Sequence, residues 1–132
     1  MERYIDQMTY NLNNKVIFLK EALKLQLYLL DHQGDPRENE LFDEIASIKK
    51  RLLAEDMQFL KHYEKIFEVM NIMEINDLDQ EKRAMFKPVQ DKIILISELE
   101  EHFRIQADML SDREHNIKKM RKNQNIIKAY KK

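Results

Sequence analysis

The chain has 132 residues, 43% hydrophobic and 36% charged, with one Gly, two Pro and neither Cys nor Trp. A β-sandwich or βαβ array needs a turn every ten residues or so, and the Gly and Pro to make them are missing; without cysteine there are no disulfides, thiolate nucleophiles or Cys-ligated metals. The 23 basic and 24 acidic side chains balance overall, but the last fifteen residues hold seven bases and no acid, leaving the first 117 with 16 against 24, a formal -8.

The first periodic segment spans about 3–30. Ile5, Met8, Leu12, Val16, Leu19, Leu23 and Leu30 recur at threes and fours, with Gln26 and Leu27 completing an amphipathic stripe. Asn11, Asn13 and Asn14 lower its helix propensity. Asp31 to Arg37 holds the only Gly and the first Pro, and Gly34 is the natural left-handed residue of the turn.

The second segment, about 38–75, has an unbroken seam: Leu41, Ile45, Ile48, Leu52, Glu55, Phe59, His62, Ile66, Val69 and Met73. Only Glu55 and His62 are polar on it, and Lys or Tyr neighbours are the expected partners. Leu53, Leu60, Tyr63, Phe67 and Met70 widen the stripe enough to touch a second neighbour. A helix of this length overshoots the first by several turns.

Residues 76–79 form the second break. Asp77 with Gln80 three residues on has the pattern of a capping box for a third helix, about 80–125. Its seam runs Met85, Val89, Ile93, Ile96, Glu100, Phe103, Ala107, Leu110, Glu114, Ile117 and Arg121. Pro88 interrupts it, since an interior proline removes a hydrogen bond and clashes with the preceding turn. The helix therefore either bends there or is split into a short helix and a long one, and continuity of the apolar spacing favours the bend. The predicted fold is all-α: a single domain over 1–132, an antiparallel bundle of three long helices with a basic C-terminal tail.

Chemistry is sparse. His102 follows Glu98 by four residues and His115 follows Asp112 by three, which places each pair on one helix face. A di-iron bundle requires Glu-x-x-His on two helices, and the chain has neither. Ser47, Ser97 and Ser111 lie within helices, where their hydroxyls bond the preceding turn. Gly34 alone makes no phosphate loop. No catalytic residue, metal or cofactor is expected. Nor is nucleic acid: the helices are too long for a helix-turn-helix and the body is acidic. No apolar run approaches the 18 residues of a membrane span, and Met1–Tyr10 lacks the apolar core of a signal peptide, so no membrane insertion is expected and a cytoplasmic location is.

Protein binding remains. Unequal helix lengths should leave the far end of the second helix and the facing part of the third without an internal partner. Leu60, Tyr63, Phe67, Met70, Met73, Phe86 and Ile93 are the candidate contacts, and methionine-rich surfaces of this kind accept amphipathic helices. The plainer alternative is that these residues pack the core or a homodimer seam. Lys118, Lys119, Arg121 and Lys122 form a basic tail suited either to an acidic partner or to a solvated helix end.

The layout resembles the small flagellar export chaperones of the FliT and FlgN type. The likeness covers most of the chain. It rests on Ile45-x-x-Ile48-Lys49-Lys50-Arg51-Leu52, on the seam from Val89 to Leu99 followed by Glu100 and Glu101, and on the ending Ile117-Lys118-Lys119-Met120 with Ile126-Ile127-Lys128-Ala129-Tyr130. Pro88 and the Asn-rich start depart from the pattern. The resemblance implies a cytoplasmic chaperone that holds the helical terminal segment of a secreted cap or hook-associated subunit for type III export. The basic tail would then visit the export machinery. A homo-oligomeric helical scaffold or a regulatory adaptor would use the same physics and stays open.

Overall fold

The computed structural model describes residues 1–130, with the side chains of Arg121 and of 124–130 outside the described set. In chain order it contains α1 (Glu2–Asp31), α2 (Glu38–Met70), a 3-10 turn (Ile75–Asp77), α3 (Gln80–Ala84) and α4 (Lys87–Tyr130). The fold is an all-α bundle of three long helices.

Helix α1 lies in the middle. It packs along both α2 and α4, and those two share no comparable seam with each other. Contacts fix the directions. Asn11 meets Glu55 and Leu29 clusters with Leu41 and Ile45, so α1 and α2 are antiparallel. Lys15 meets Glu100 and Arg113 reaches Leu29, so α1 and α4 run parallel.

The buried face of α1 includes Ile5, Met8, Leu12, Lys15, Leu19, Ala22, Gln26 and Leu29, in alternating steps of three and four. That 3.5-residue mean keeps one face against its neighbours by coiled-coil packing. The expected stripe includes Gln26 but also takes in Leu23, Leu27 and Leu30. Leu27 is exposed, and Leu23 and Leu30 are half-buried. The register set by Ile5 to Leu19 carries straight on through Ala22 and Gln26, although leucines stand beside them.

The first connection turns at Gly34 with φ +80°, as expected of its only glycine. Tyr28 Oη donates to Asp35 Oδ2 at 2.7 Å, the Arg37 backbone N–H donates to Asp35 Oδ1 at 2.8 Å, and Arg37 Nη2 donates to Tyr28 Oη at 2.9 Å. His32 stacks on Tyr28 with ring centroids 4.0 Å apart.

Helix α2 stops at Met70, earlier than the expected 75, because Asn71 takes the left-handed conformation at φ 53° and its N–H bonds back to the last turn. Capping downstream also differs from expectation. Asp77 does not cap the next helix: its Oδ2 accepts from the Met73 and Glu74 backbone N–H groups at 3.1 and 3.0 Å, closing the 3-10 turn. Asp79 caps α3, accepting from the Lys82 N–H at 2.8 Å.

Near Pro88 the chain adopts the split rather than the favoured bend. Helix α3 ends at Ala84, Met85 and Phe86 form a turn, and α4 starts at Lys87. Pro88 thus occupies the first turn, where its missing N–H would have had no helical acceptor.

The helix lengths overturn the expected overhang. Helices α1 and α2 have 30 and 33 residues and are nearly matched, whereas α4 has 44. The end of α2 is covered on one face, at Ile66, while Leu60 and Val69 on its other faces stay exposed. Ile66 is 0% exposed in a cluster with Ile5, Met8, Leu78, Phe86 and Val89, and Met1, Tyr4, Ile72 and Ile75 pack around it. The start of α1 and the 71–86 connection provide this cover. A second, smaller cluster of Leu29, Leu41, Ile45 and Leu110 closes the end beside Gly34.

Candidate functional site

Because α2 and α4 both rest on α1 without a shared seam, a groove runs between them with α1 as its floor. Three clefts succeed one another along it. The first, about 240 Å³, has Met8 at its floor and is walled by Phe59 and Tyr63 of α2 and by Phe86, Val89 and Ile93 beside α4. The second, about 510 Å³, contains Lys15 and Leu19, with Leu52 and Asp56 on one side and Ser97, Glu100, Glu101 and Arg104 on the other. The third, about 170 Å³, has Gln26 at its floor among Phe42, Ile45, Lys49, Phe103, Ala107 and Leu110. From Met8 to Gln26 the floor is about 27 Å long at 1.5 Å per residue.

The first cleft is apolar. Phe59, Tyr63 and Phe67 follow one another at i, i+4 and i+8 on α2, with ring centroids 6.3 and 4.7 Å apart, and the first two of this aromatic ladder form the wall. The middle cleft is ionic. Lys15 is 8% exposed and its Nζ lies 2.6 Å from Asp56 Oδ1 and 3.4 Å from Glu100 Oε1, tying α2 to α4 through α1. Arg104 pairs with Glu101 and Asp108 along α4. The Arg104 guanidinium bonded to Glu101 holds that carboxyl below its usual range. In the third cleft Gln26 is 2% exposed; its Nε2 donates to the Phe103 carbonyl at 3.2 Å and its Oε1 has no hydrogen-bond partner. Lys49 Nζ lies over the Phe103 ring at 5.4 Å, one point at which α2 and α4 side chains approach each other.

The sequence-derived contact residues divide. Tyr63, Phe86 and Ile93 come together in the first cleft, although Phe86, at 4% exposure, serves mainly as its base. Phe67 and Met70 are half-buried, Met70 against the core and Phe67 against the Tyr63 ring. Leu60 lies outside the groove's lining, in an exposed stripe on α2 with Leu53 and Met57, and Met73 is 89% exposed in the connection. Lys118, Lys119 and Lys122 are exposed on α4, with Lys118 3.9 Å from Glu114; the side chain of Arg121 lies outside the described set.

Glu55 and His62, the two polar seam positions, have found different partners. Glu55 accepts from Asn11 Nδ2 at 2.8 Å and Asn14 Nδ2 at 3.2 Å, so two of the asparagines that weaken α1 as an isolated helix tie it to α2. Among the described residues no lysine or tyrosine is bonded there. The His62 ring lies beside Tyr4, 6.5 Å between centroids. Glu98, His102, Asp112 and His115 are all exposed on α4. Among the described residues no three His, Asp or Glu side chains converge as a metal site requires.

Sequence reasoning passed over Phe59, Lys15, Asp56 and Gln26 as groove residues. The 3.5-residue spacing that includes Lys15 and Gln26 was the available signal. No helix is long and apolar enough to cross a membrane among the described residues. Comparison with protein-family models, with curated proteins and with solved structures finds no match.

Proposed function

We propose that this protein is a non-enzymatic, cytoplasmic chaperone that holds an amphipathic helix of another polypeptide in the groove between α2 and α4. The observation that carries the reading is the arrangement of the three helices: α1 touches both flanking helices, and the place a fourth helix would fill in a four-helix bundle is open. Helix-in-groove recognition needs an apolar channel with anchor pockets, and the Phe59–Tyr63–Ile93 cleft provides the anchor. The resemblance to flagellar export chaperones names the guest: the helical terminal segment of a secreted cap or hook-associated subunit, shielded from self-assembly until export.

Calorimetric titration of the purified protein with such terminal segments tests this. Binding should weaken at least tenfold in Ile93→Asp, a change tolerated by the fold because Ile93 is 43% exposed. Helicity by circular dichroism should stay unchanged. Failure of every flagellar segment to bind would remove the export assignment.

One observation favours a homo-oligomeric scaffold as the second reading. Leu53, Met57 and Leu60 form an exposed stripe at steps of four and three on α2, a pattern suited to a second copy. Sedimentation of the wild type against Met57→Lys separates the two: a dimer abolished by the variant supports the scaffold.

A further inference from the structure

The middle of the groove restricts which helix can lie in it. Asp56 and Glu100 face each other from α2 and α4 and share one cation, Lys15, which sits at the floor. Their side chains are 51% and 55% exposed, and each bonds Lys15 through a single oxygen. In the open groove the remaining lone pairs face solvent. A guest helix laid over this layer would strip that solvent away, and a buried carboxylate without a compensating donor is costly. An apolar or acidic guest residue at this level is therefore disfavoured, and a cation is favoured. Gln26, eleven residues further along the floor, is a second unmet polar group. Its amide orientation is set by donation from Nε2 to the Phe103 carbonyl, which leaves Oε1 as an acceptor without a donor.

Resting on the groove reading above, we propose that the guest is an amphipathic helix with a lysine or arginine about two turns from its apolar anchor. The spacing follows from the floor. Met8 marks the apolar cleft and Lys15 the ionic one, seven residues apart, or about 10 Å along a helix. A guest helix running alongside places its anchor against Phe59, Tyr63 and Ile93, and its cation between Asp56 and Glu100. The ionic layer then acts as a register pin, as polar layers do in coiled coils. It rejects helices that have the right apolar stripe but the wrong charge.

The probes are 20-residue alanine-based helical peptides with a Leu/Phe anchor and Lys, Ala or Glu seven positions from it. Each is made in both sequence directions, since either helix polarity can fill the groove. Binding is read by fluorescence anisotropy against the wild type, the Asp56→Asn/Glu100→Gln double variant and Ile93→Asp. For the wild type the Lys peptide should bind at least about tenfold tighter than the Glu peptide, a coupling typical of a close charge pair. The preference should collapse in the double variant and shrink at high salt. Equal binding of all three peptides, lost in Ile93→Asp, would overturn the charge rule while leaving the groove intact. Binding by none would bring down the groove reading and this one with it. A dimer that no peptide opens, but that Phe59→Asp separates, would assign the groove to a second copy and overturn the proposal.

Discussion

The Arg113 guanidinium of α4 donates to the Leu29 carbonyl of α1 at 2.6 Å and, through the same nitrogen, to the Leu30 carbonyl at 3.1 Å. The last four carbonyls of a helix lack intrahelical donors, and a cation near them also opposes the helix dipole. Helix α1 has no basic residue in its own last turn. Its C-terminus is thus completed by a side chain 84 positions away in sequence. Glu38, at the start of α2, lies 3.8 Å from the same guanidinium, so one residue joins all three helices at this end.

Replacing Arg113 by Met keeps most of the apolar stem and removes the charged donors. Hydrogen bonds to charged groups contribute about 1.5–3 kcal/mol each to stability. Here one nitrogen is shared between two carbonyls at a partly exposed site, so the expected loss is about 1–3 kcal/mol in total. Urea unfolding followed by circular dichroism measures it. An unchanged midpoint would mean that water replaces the guanidinium at no cost.

The turn after α1 should make stability depend on pH in the acidic range. The Tyr28 hydroxyl, and after it the Arg37 backbone N–H, hold the Asp35 carboxyl below its ordinary value. A carboxyl with a depressed folded pKa contributes stability that is fully present above its unfolded value of about 4. That contribution disappears as pH falls through the lower folded value. The difference in urea midpoint between wild type and Asp35→Asn should hold at neutral pH and vanish at the acidic end. Tyr28→Phe removes the largest cause and should shift the loss toward higher pH.

Burial separates two apolar residues that look equivalent in sequence. Ile66 is 0% exposed where α1, α2 and the 71–86 connection meet, and Ile66→Ala should cost about 2–5 kcal/mol. Met73, on the same sequence-derived seam, is almost fully solvated, and Met73→Ala should stay within about 0.5 kcal/mol. Thermal unfolding of the two variants side by side tests this. Similar losses from both would mean that the connection packs differently from the arrangement described.

The seam of α2 was legible from Leu41 to Ile66 because buried and half-buried positions alternating by three and four leave little choice of face. It failed at Val69 and Met73, where Asn71 ends the helix and the same spacing no longer maps onto one surface. The break near Pro88 was legible as a place, since proline is excluded from helix interiors. The chain stays helical on both sides of it, with α3 a separate short helix capped by Asp79. The groove was legible only in part. Tyr63 and Ile93 lie on its wall, but the overhang expected behind them is partly covered, since α1 and residues 71–86 bury Ile66 while Leu60 and Val69 stay exposed.

Sequence alone determined the helical class, the three long segments and the turn at Gly34, because propensity, periodicity and chain-breaking residues act over a few neighbours along the chain. Tertiary structure alone decided that α1 is the central helix and that α2 and α4 stand apart across a groove. It also decided the partners of the polar residues: Lys15 with Asp56 and Glu100, Glu55 with Asn11 and Asn14, and Arg113 with the end of α1. Burial of a charge or an amide depends on whether a complementary group arrives from another helix, and no local pattern records that arrival.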